Sequence, residues 1–287
     1  MQPRRRSLLE LNTAVLLWAG TALFSKWIAL PALEITAYRS VAAALALLAV
    51  LAWQRQSLRP QSRRDFWLLL GGGVTLGLHW VTYFQSMQVS TVAVGILALH
   101  TYPVMTALVE PALFKERLHG IDVLLGLVVL AGVAVLVPDF SLDSSITRGV
   151  LLGILSAACF AARNILTRPV VKTYGGGTVM LYQLIVTVVM LVPVAIFAGT
   201  PVDSRSVAQL AVLGIFFTAL PHTLFTNSLR HLSAKTVGVI STLLPIYGTI
   251  TAALLLGEVP APRTIVGGVI ILAAVTVETW RVLRRQS

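Results

Sequence analysis

Charge is what this chain has least of. Lys, Arg, Asp and Glu make up 11% of its 287 residues, against about 25% in an ordinary soluble domain. With 56% hydrophobic residues and a mean hydropathy of +0.85, the chain belongs in a lipid bilayer. Cysteine is nearly missing as well. Cys159 stands alone inside an apolar run, so an intramolecular disulfide is excluded and redox chemistry is not expected. The histidines, at 79, 100, 119, 222 and 231, show no metal-ligand spacing, and neither a His-Glu-x-x-His cluster nor a nucleophile with a base is present. No metal, cofactor or enzymatic chemistry is therefore expected. Acidic side chains are absent from the middle of every apolar run: Glu10, Glu110, Glu116 and Glu258 fall at or beyond run ends. Long polar segments are lacking too, so no break between runs can hold a soluble domain.

What remains is a series of apolar runs of spanning length. About 20 mostly apolar residues cross roughly 30 Å of hydrocarbon as a helix. The chain predicts spans near 8–30, 34–54, 66–88, 91–112 and 119–138, then near 147–170, 175–198, 207–230, 234–257 and 263–282. Turn and charge signals separate them, among them Pro31, the polar 55–65 linker, Pro138-Asp139, Gly175-Gly176-Gly177, Pro201-Val202-Asp203 and Pro260-Ala261-Pro262. Arg4-Arg5-Arg6 before the first run resembles a signal peptide. That run has a repeat partner after Arg148, so it is retained as the first span.

The net charge of +11 would suggest nucleic acid in a soluble protein. Here the basic residues sit between apolar runs, the pattern of loops held against an anionic membrane face. One side of the alternating spans receives Arg4–6, Arg55, Arg59, Arg63, Arg64, Lys115, Arg117, Arg168, Lys172, Arg230, Lys235, Arg281, Arg284 and Arg285, sixteen in all; the other receives Arg148, Arg205 and Arg263. By the positive-inside rule both termini are expected in the cytoplasm, with the chain in the inner (plasma) membrane.

The chain is also written twice. Pro103 pairs with Pro245 and Glu116 with Glu258 at an offset of 142, as do Trp18 with Phe160, Lys26 with Arg168 and Ser86 with Ser228; around Gly95 and Gly238 the offset slips to 143. Residues 1–140 and 141–287 are thus expected to be two five-helix repeats. An odd number of spans turns the second repeat upside down relative to the first. The expected fold is all-α: ten transmembrane helices as two inverted five-helix repeats around a central cavity. Inverted repeats are a transporter signature, with the substrate site near the midplane between the halves.

The two Pro…Glu segments and the Trp18-Ala19-Gly20…Lys26 segment resemble the drug/metabolite transporter superfamily in its EamA-repeat form. Within it the chain is most similar to exporters of the aromatic amino acid exporter (YddG) type. The resemblance implies a ten-helix basket with helices 1, 3, 4, 6, 8 and 9 lining the cavity, and it brings Trp18 among the substrate-binding candidates. Family members often carry Trp and Tyr in span 6, where this chain has Phe160 and Arg163-Asn164.

Polar groups near span centres supply the other candidates. His79 and Tyr83 are four apart on one face of span 3, with Thr75 and Ser86, while Trp80 points elsewhere. An imidazole and a phenol in register suit an amphipathic solute, and a helix–helix hydrogen bond is the plainer alternative. His222 lies at the corresponding depth of span 8. Pro103 and Pro245 mark bends in spans 4 and 9, preceded by His100, Thr101 and Tyr102 and by Ser241 and Thr242. Gly95 and Gly238 add give there, so Gly95, Pro103, Gly238 and Pro245 form the hinge set. Arg163, with Asn164 beside it, is either a carboxylate-binding group or a side chain reaching for the cytoplasmic face. Arg39, Lys26 and Arg168 are expected to snorkel to water. Gly73-xxx-Gly77 and Gly149-xxx-Gly153 are expected to mark close helix packing.

The leading expectation is an alternating-access exporter of small metabolites, aromatic amino acids and related amphipathic solutes included. Carriers coupled to protons or sodium commonly place Asp or Glu at span centres, so uncoupled export is expected. A transporter of organic phosphates or nucleotide sugars would want several central cations. An intramembrane enzyme lacks its residues, and a receptor or scaffold leaves the inverted repeat unexplained. The expected partners are a small-molecule substrate and the lipid bilayer, with no nucleic acid and with a monomer as the working unit.

Overall fold

A computed structural model describes residues 3–56, 58–114, 118–228, 232 and 240–285. Lys115, Glu116, Arg117, Arg230, His231, Lys235 and the hinge candidate Gly238 lie outside the described residues. The described residues form helices and connecting turns, with no strand among them. In chain order the helices are α1 (Pro3–Thr21), α2 (Phe24–Trp27), α3 (Ala32–Trp53), α4 (Arg63–Val89), α5 (Val92–Leu99), α6 (Tyr102–Phe114) and α7 (Gly120–Leu136). They continue with α8 (Ser145–Thr167), α9 (Val171–Ala198), α10 (Ser204–Gly214), a π-helical turn (Ile215–Ala219), α11 (Leu220–Ser228), α12 (Leu244–Leu256) and α13 (Pro262–Arg285).

The helix starts are set by short polar side chains that accept a bond from the first-turn backbone. Ser62 takes the Asp65 N–H, Thr91 that of Val94, Ser144 that of Thr147 and Asp203 that of Ser206. Gly199 and Gly257 end α9 and α12 at φ of 68° and 69°, a left-handed conformation that glycine adopts without a Cβ clash.

Seven described stretches are long and apolar enough to cross a membrane: Arg5–Trp27, Ala32–Trp53, Val92–Leu113, Ser145–Thr167, Thr173–Ala198, Ser204–Phe225 and Pro262–Arg281. The helices Gly120–Leu136 and Leu244–Leu256 are apolar but shorter. The remaining expected span, 66–88, lies within α4, which is 27 residues long yet diluted by Thr75, His79, Thr82, Tyr83, Gln85, Ser86 and Gln88. Large apolar side chains point outward across the surface, with Leu45 63% exposed, Val189 69%, Phe197 93% and Leu254 76%. Such a surface is costly in water and expected in lipid.

The main helix contacts join the two halves of the chain: α4 packs on α8, α3 on α9, α7 on α13 and α1 on α11. Small residues allow further close approaches, of α4 on α9 and of α8 on α5, as the spacing predicts. A Cβ on Gly73 would sit 2.5 Å from Val186 and one on Gly77 2.5 Å from Met190, while at Gly153 it would meet Ala98 at 2.4 Å.

The prolines break their spans rather than bend them. Span 4 stops at Leu99, passes a turn at His100-Thr101 and restarts as α6 with Pro103 in its second position. Span 9 likewise turns at Thr242-Leu243 before α12, with Pro245 in its second position. A first-turn proline loses no helical hydrogen bond, so each proline opens a new helix segment. Span 1 breaks between Thr21 and Phe24 as well, and span 8 carries the π turn at 215–219.

Candidate functional site

The polar centre is organised on α4. His79 and Tyr83 are on one face with rings stacked at 5.9 Å and 15° between planes, as their spacing predicts. His79 is also clamped to α8: Nδ1 lies 2.7 Å from Ser156 Oγ, and that hydroxyl donates to the His79 carbonyl at 3.0 Å. The hydroxyl has one proton and gives it to the carbonyl, so Nδ1 must be the donor of the other bond. In the neutral ring Nε2 then keeps its lone pair. Trp80 packs against Arg39 of α3.

From His79 the rings run on. Phe160 of α8 is 4.7 Å from His79 and 4.7 Å, edge-on, from Tyr102 of α6, and Tyr102 is 6.2 Å from His100. His100 Nδ1 bonds the Ile96 carbonyl at 2.8 Å. Arg163 stands 5.7 Å from the Phe160 ring. Its Nε and Nη2 donate to Gln183 Oε1 at 3.0 and 2.8 Å, and Nη1 to Asn164 Oδ1 at 3.3 Å. Arg163 thus reaches sideways to α9 and is held by amides at span depth. A second group of rings joins α1 to α11: Trp18 lies 5.0 Å edge-on from His222 and 5.2 Å from Phe225. His222 Nδ1 bonds the Thr218 carbonyl at 2.7 Å, which the π turn places. Trp18, Tyr102, Phe160, Arg163, Asn164 and His222 are half-buried, whereas His79, Tyr83 and His100 are buried.

Arg39 corrects an expectation. Instead of snorkelling to water it is 1% exposed, with its guanidinium carbon 4.2 Å from the Trp80 ring and 4.4 Å from that of Phe84. At the same level α10 crosses the backbone of α3, where a Cβ on Gly214 would come within 2.5 Å of the Arg39 carbonyl. Nε and Nη2 have no acceptor. Enclosing a cation costs several kcal/mol, and two ring faces return about 2 kcal/mol each at best. Rings connect the two guanidiniums: Arg39 lies against Phe84, Phe84 is 6.2 Å from Tyr83, and Tyr83 leads through His79 to Phe160 and Arg163.

Lys26 and Arg168 also do more than reach water. Lys26 Nζ donates to the Ser90 carbonyl at 2.9 Å and stands 3.5 Å from Glu258 Oε1, while Glu258 Oε2 accepts from the Val92 N–H at 2.8 Å. Arg168 Nη1 pairs with Glu110 at 2.5 Å. Ser86 is drawn into the α4–α8 contact, donating to the Gly149 carbonyl at 2.6 Å, and Thr75 bonds back to its own helix. Of the hinge candidates, Gly95 is buried where α5 meets α4, and a Cβ there would sit 2.5 Å from Met87. Two apolar pockets are defined elsewhere, one between α6 and α7 around Leu108 and Val129, the other between α5, α12 and α13 around Leu97 and Ile246. Neither touches the polar centre.

Sequence reasoning missed Gln183, Ser156 and the inward role of Arg39. Gln183 had a signal, an amide in the middle of an apolar run, where lipid offers it no partner. Ser156 had none, because serine beside alanine is ordinary in a helix contact.

Helices with apolar exteriors, broken spans and a polar, aromatic interior define a multi-pass helical membrane protein. The chain belongs to the EamA-like transporter family, which matches residues 7–137 and again 147–279, and it is a membrane transporter. It is 25% identical over 281 residues to the uncharacterized transporter YxxF of Bacillus subtilis, covering 96% of this chain and 90% of that protein. An uncharacterized transporter of Archaeoglobus fulgidus is 27% identical, covering 94% and 96% of the two chains. The pseudopaline exporter CntI of Pseudomonas aeruginosa is 28% identical over 247 residues, 85% of each. A solved crystal structure superposes with a TM-score of 0.68 over 97% of both chains at 19% identity, which shows a shared fold.

Proposed function

We propose that this transporter exports small amphipathic metabolites, aromatic amino acids and related solutes among them, through the polar interior between its two halves. The observation that carries the reading is the polar centre itself. Trp18, His79, Tyr83, His100, Tyr102, Arg163, Asn164 and His222 alternate ring faces with donors and acceptors at span depth. A greasy solute could cross lipid unaided, whereas a polar one needs such groups to replace water. The exporter named among the relatives supports the outward direction.

Alternating access by two inverted repeats, 1–140 and 141–287, is part of the proposal. Number the ten expected spans and exchange each with its repeat mate, five places on. The 2–7 and 5–10 contacts then map onto themselves, and the 3–6 contact maps onto 8–1; these are the contacts of α3 with α9, α7 with α13, α4 with α8 and α1 with α11. The ion pairs follow the same exchange. Lys26–Glu258 joins spans 1 and 9, and Arg168–Glu110 joins spans 6 and 4. With the basic loops inside, the first pair latches the outer face and the second the inner face of an inner-membrane protein with cytoplasmic termini. Breaks ahead of Pro103 and Pro245 give each half a place to flex, Gly95 and Gly238 beside them. We propose uncoupled transport, because no carboxylate joins the polar centre among the described residues.

The test is efflux of labelled amino acids from proteoliposomes holding only this protein, with and without a pH gradient. Flux of an aromatic amino acid that ignores the gradient supports the reading. Movement of nucleotide sugars and of no amino acid contradicts it.

A further inference from the structure

Two full positive charges lie in the interior with no negative charge to meet them. Among the described residues no carboxylate comes within ion-pairing distance of Arg39 or Arg163: Arg163 is held by the amides of Gln183 and Asn164, and Arg39 by the rings of Trp80 and Phe84 alone. The acids that might have served are engaged elsewhere. Glu34, on the same helix as Arg39, takes the Thr200 hydroxyl at 2.8 Å on Oε1, while its buried Oε2 meets no donor, Arg39 included; Glu110 pairs with Arg168, Glu258 with Lys26, and Asp122 and Glu278 with Arg281. Arg39 Nε and Nη2 point at no acceptor although the side chain is 1% exposed. A guanidinium keeps its charge in proteins, so it cannot answer burial by losing a proton. These donors are open to an acceptor that a solute brings in.

We infer that the transported solute is an organic acid carrying two carboxylates, one received near Arg163 and the other near Arg39, with Arg39 as a specificity-determining residue. The inference rests on the reading of the polar centre as the transport path. Arg39 and Arg163 come from α3 and α8 and stand at the two ends of one run of neighbouring rings, Phe84, Tyr83, His79 and Phe160. Two separated single cations match two singly charged groups on one solute better than one doubly charged group. A phosphate ester would want its donors converging on one point. A net-neutral amino acid satisfies one guanidinium and leaves the other as it stands. Between the two ends, the faces of Tyr83, Phe160 and Tyr102 suit a carbon skeleton, and the lone pair of His79 Nε2 suits a hydroxyl or ammonium on it.

The experiment uses the full chain in proteoliposomes and follows counterflow of labelled glutamate, succinate, phenylalanine and glucose 6-phosphate. A charge-assisted hydrogen bond corresponds to about tenfold or more in binding. Wild type should therefore move the dicarboxylates about tenfold faster than phenylalanine at equal concentration. Arg39→Gln should remove that advantage, and Arg39→Lys should restore part of it. In detergent, glutamate or succinate should raise the melting temperature of wild type but not of Arg163→Gln, a readout that holds even if Arg39→Gln fails to fold. Phenylalanine moved well with the dicarboxylates excluded would overturn the inference and leave the transport path standing. Preference for glucose 6-phosphate over both dicarboxylates would overturn it in favour of a phosphate site. Equal loss of all solutes in Arg39→Gln, with Arg39→Lys no better, would reduce Arg39 to a structural cation. If no solute of the panel moves and none shifts melting, the underlying reading fails along with it.

Discussion

The two central histidines sit at matching depths of matching spans, yet they do different work. His79 is buried, exchanges two hydrogen bonds with Ser156 across the α4–α8 contact and stacks on Tyr83. His222 is half-buried, bonds a carbonyl of its own chain segment and meets Trp18 edge-on. One ties the halves together and holds a ring stack in place; the other offers a surface. Repetition in the sequence gives both halves the same helices, and the neighbours then decide what each residue does. The ion-pair latches show the same inequality. Lys26 and Glu258 are 25% and 22% exposed and add bonds to Ser90 and Val92, whereas Arg168 is 48% exposed.

The largest effect should come from cutting the His79 clamp. Ser156→Val removes both side-chain bonds and leaves the His79 Nδ1–H only the Ser156 carbonyl at 3.3 Å, a loss of about 1 kcal/mol or more. The melting temperature in detergent should fall clearly, while His222→Ala should melt close to wild type and change flux or solute preference instead. Equal melting of the two variants would erase the distinction between the histidines.

Next in size are the latches. Exposed ion pairs contribute about 0.2–1 kcal/mol; Glu258→Gln should reach the upper end because Lys26 loses its counter-ion in an enclosed site. Glu110→Gln should fall at the lower end. Chemical denaturation of both variants checks the order, and a larger effect at Glu110 would reverse it.

Tyr83→Phe should leave melting unchanged, since the ring stays stacked on His79. It should shift the ratio of phenylalanine to tyrosine flux by a few-fold, and an unaltered ratio would take the Tyr83 hydroxyl off the path.

The smallest effect is a pH term outside the membrane. Bonds from the Ser206 hydroxyl and N–H hold the Asp203 carboxyl below the usual carboxylate range. A depressed carboxylate stabilises the fold above its unfolded pKa, and that contribution is lost as pH falls through the folded value. Wild type should therefore lose slightly more melting temperature than Asp203→Asn between neutral and acidic pH. Parallel curves would remove Asp203 from that loss.

Much of the architecture was legible because lipid permits few solutions. Apolar runs, turn signals and small-residue spacings predict the helices and their close approaches, and 3.6-residue periodicity places His79 beside Tyr83. The breaks before Pro103 and Pro245 were legible as bends only, since a sequence does not say whether a proline starts a helix or interrupts one. Arg39 was misread for a related reason. Its position near a span end suggests a route to water, and the packing of its guanidinium on the rings of Trp80 and Phe84 is a tertiary event. The Arg163–Gln183 contact joins residues twenty apart on two helices, which no local pattern encodes.

The central claim is that the polar interior is reached in turn from each side of the membrane. Asn164 is half-buried beside Arg163, and with Cys159 replaced by serine, Asn164→Cys gives a single thiol there. The measurement is its labelling by a membrane-impermeant reagent applied to right-side-out and to inverted vesicles. The account predicts labelling from both sides, slowed in both cases by a transported solute. Labelling from one side only, indifferent to solute, would contradict it.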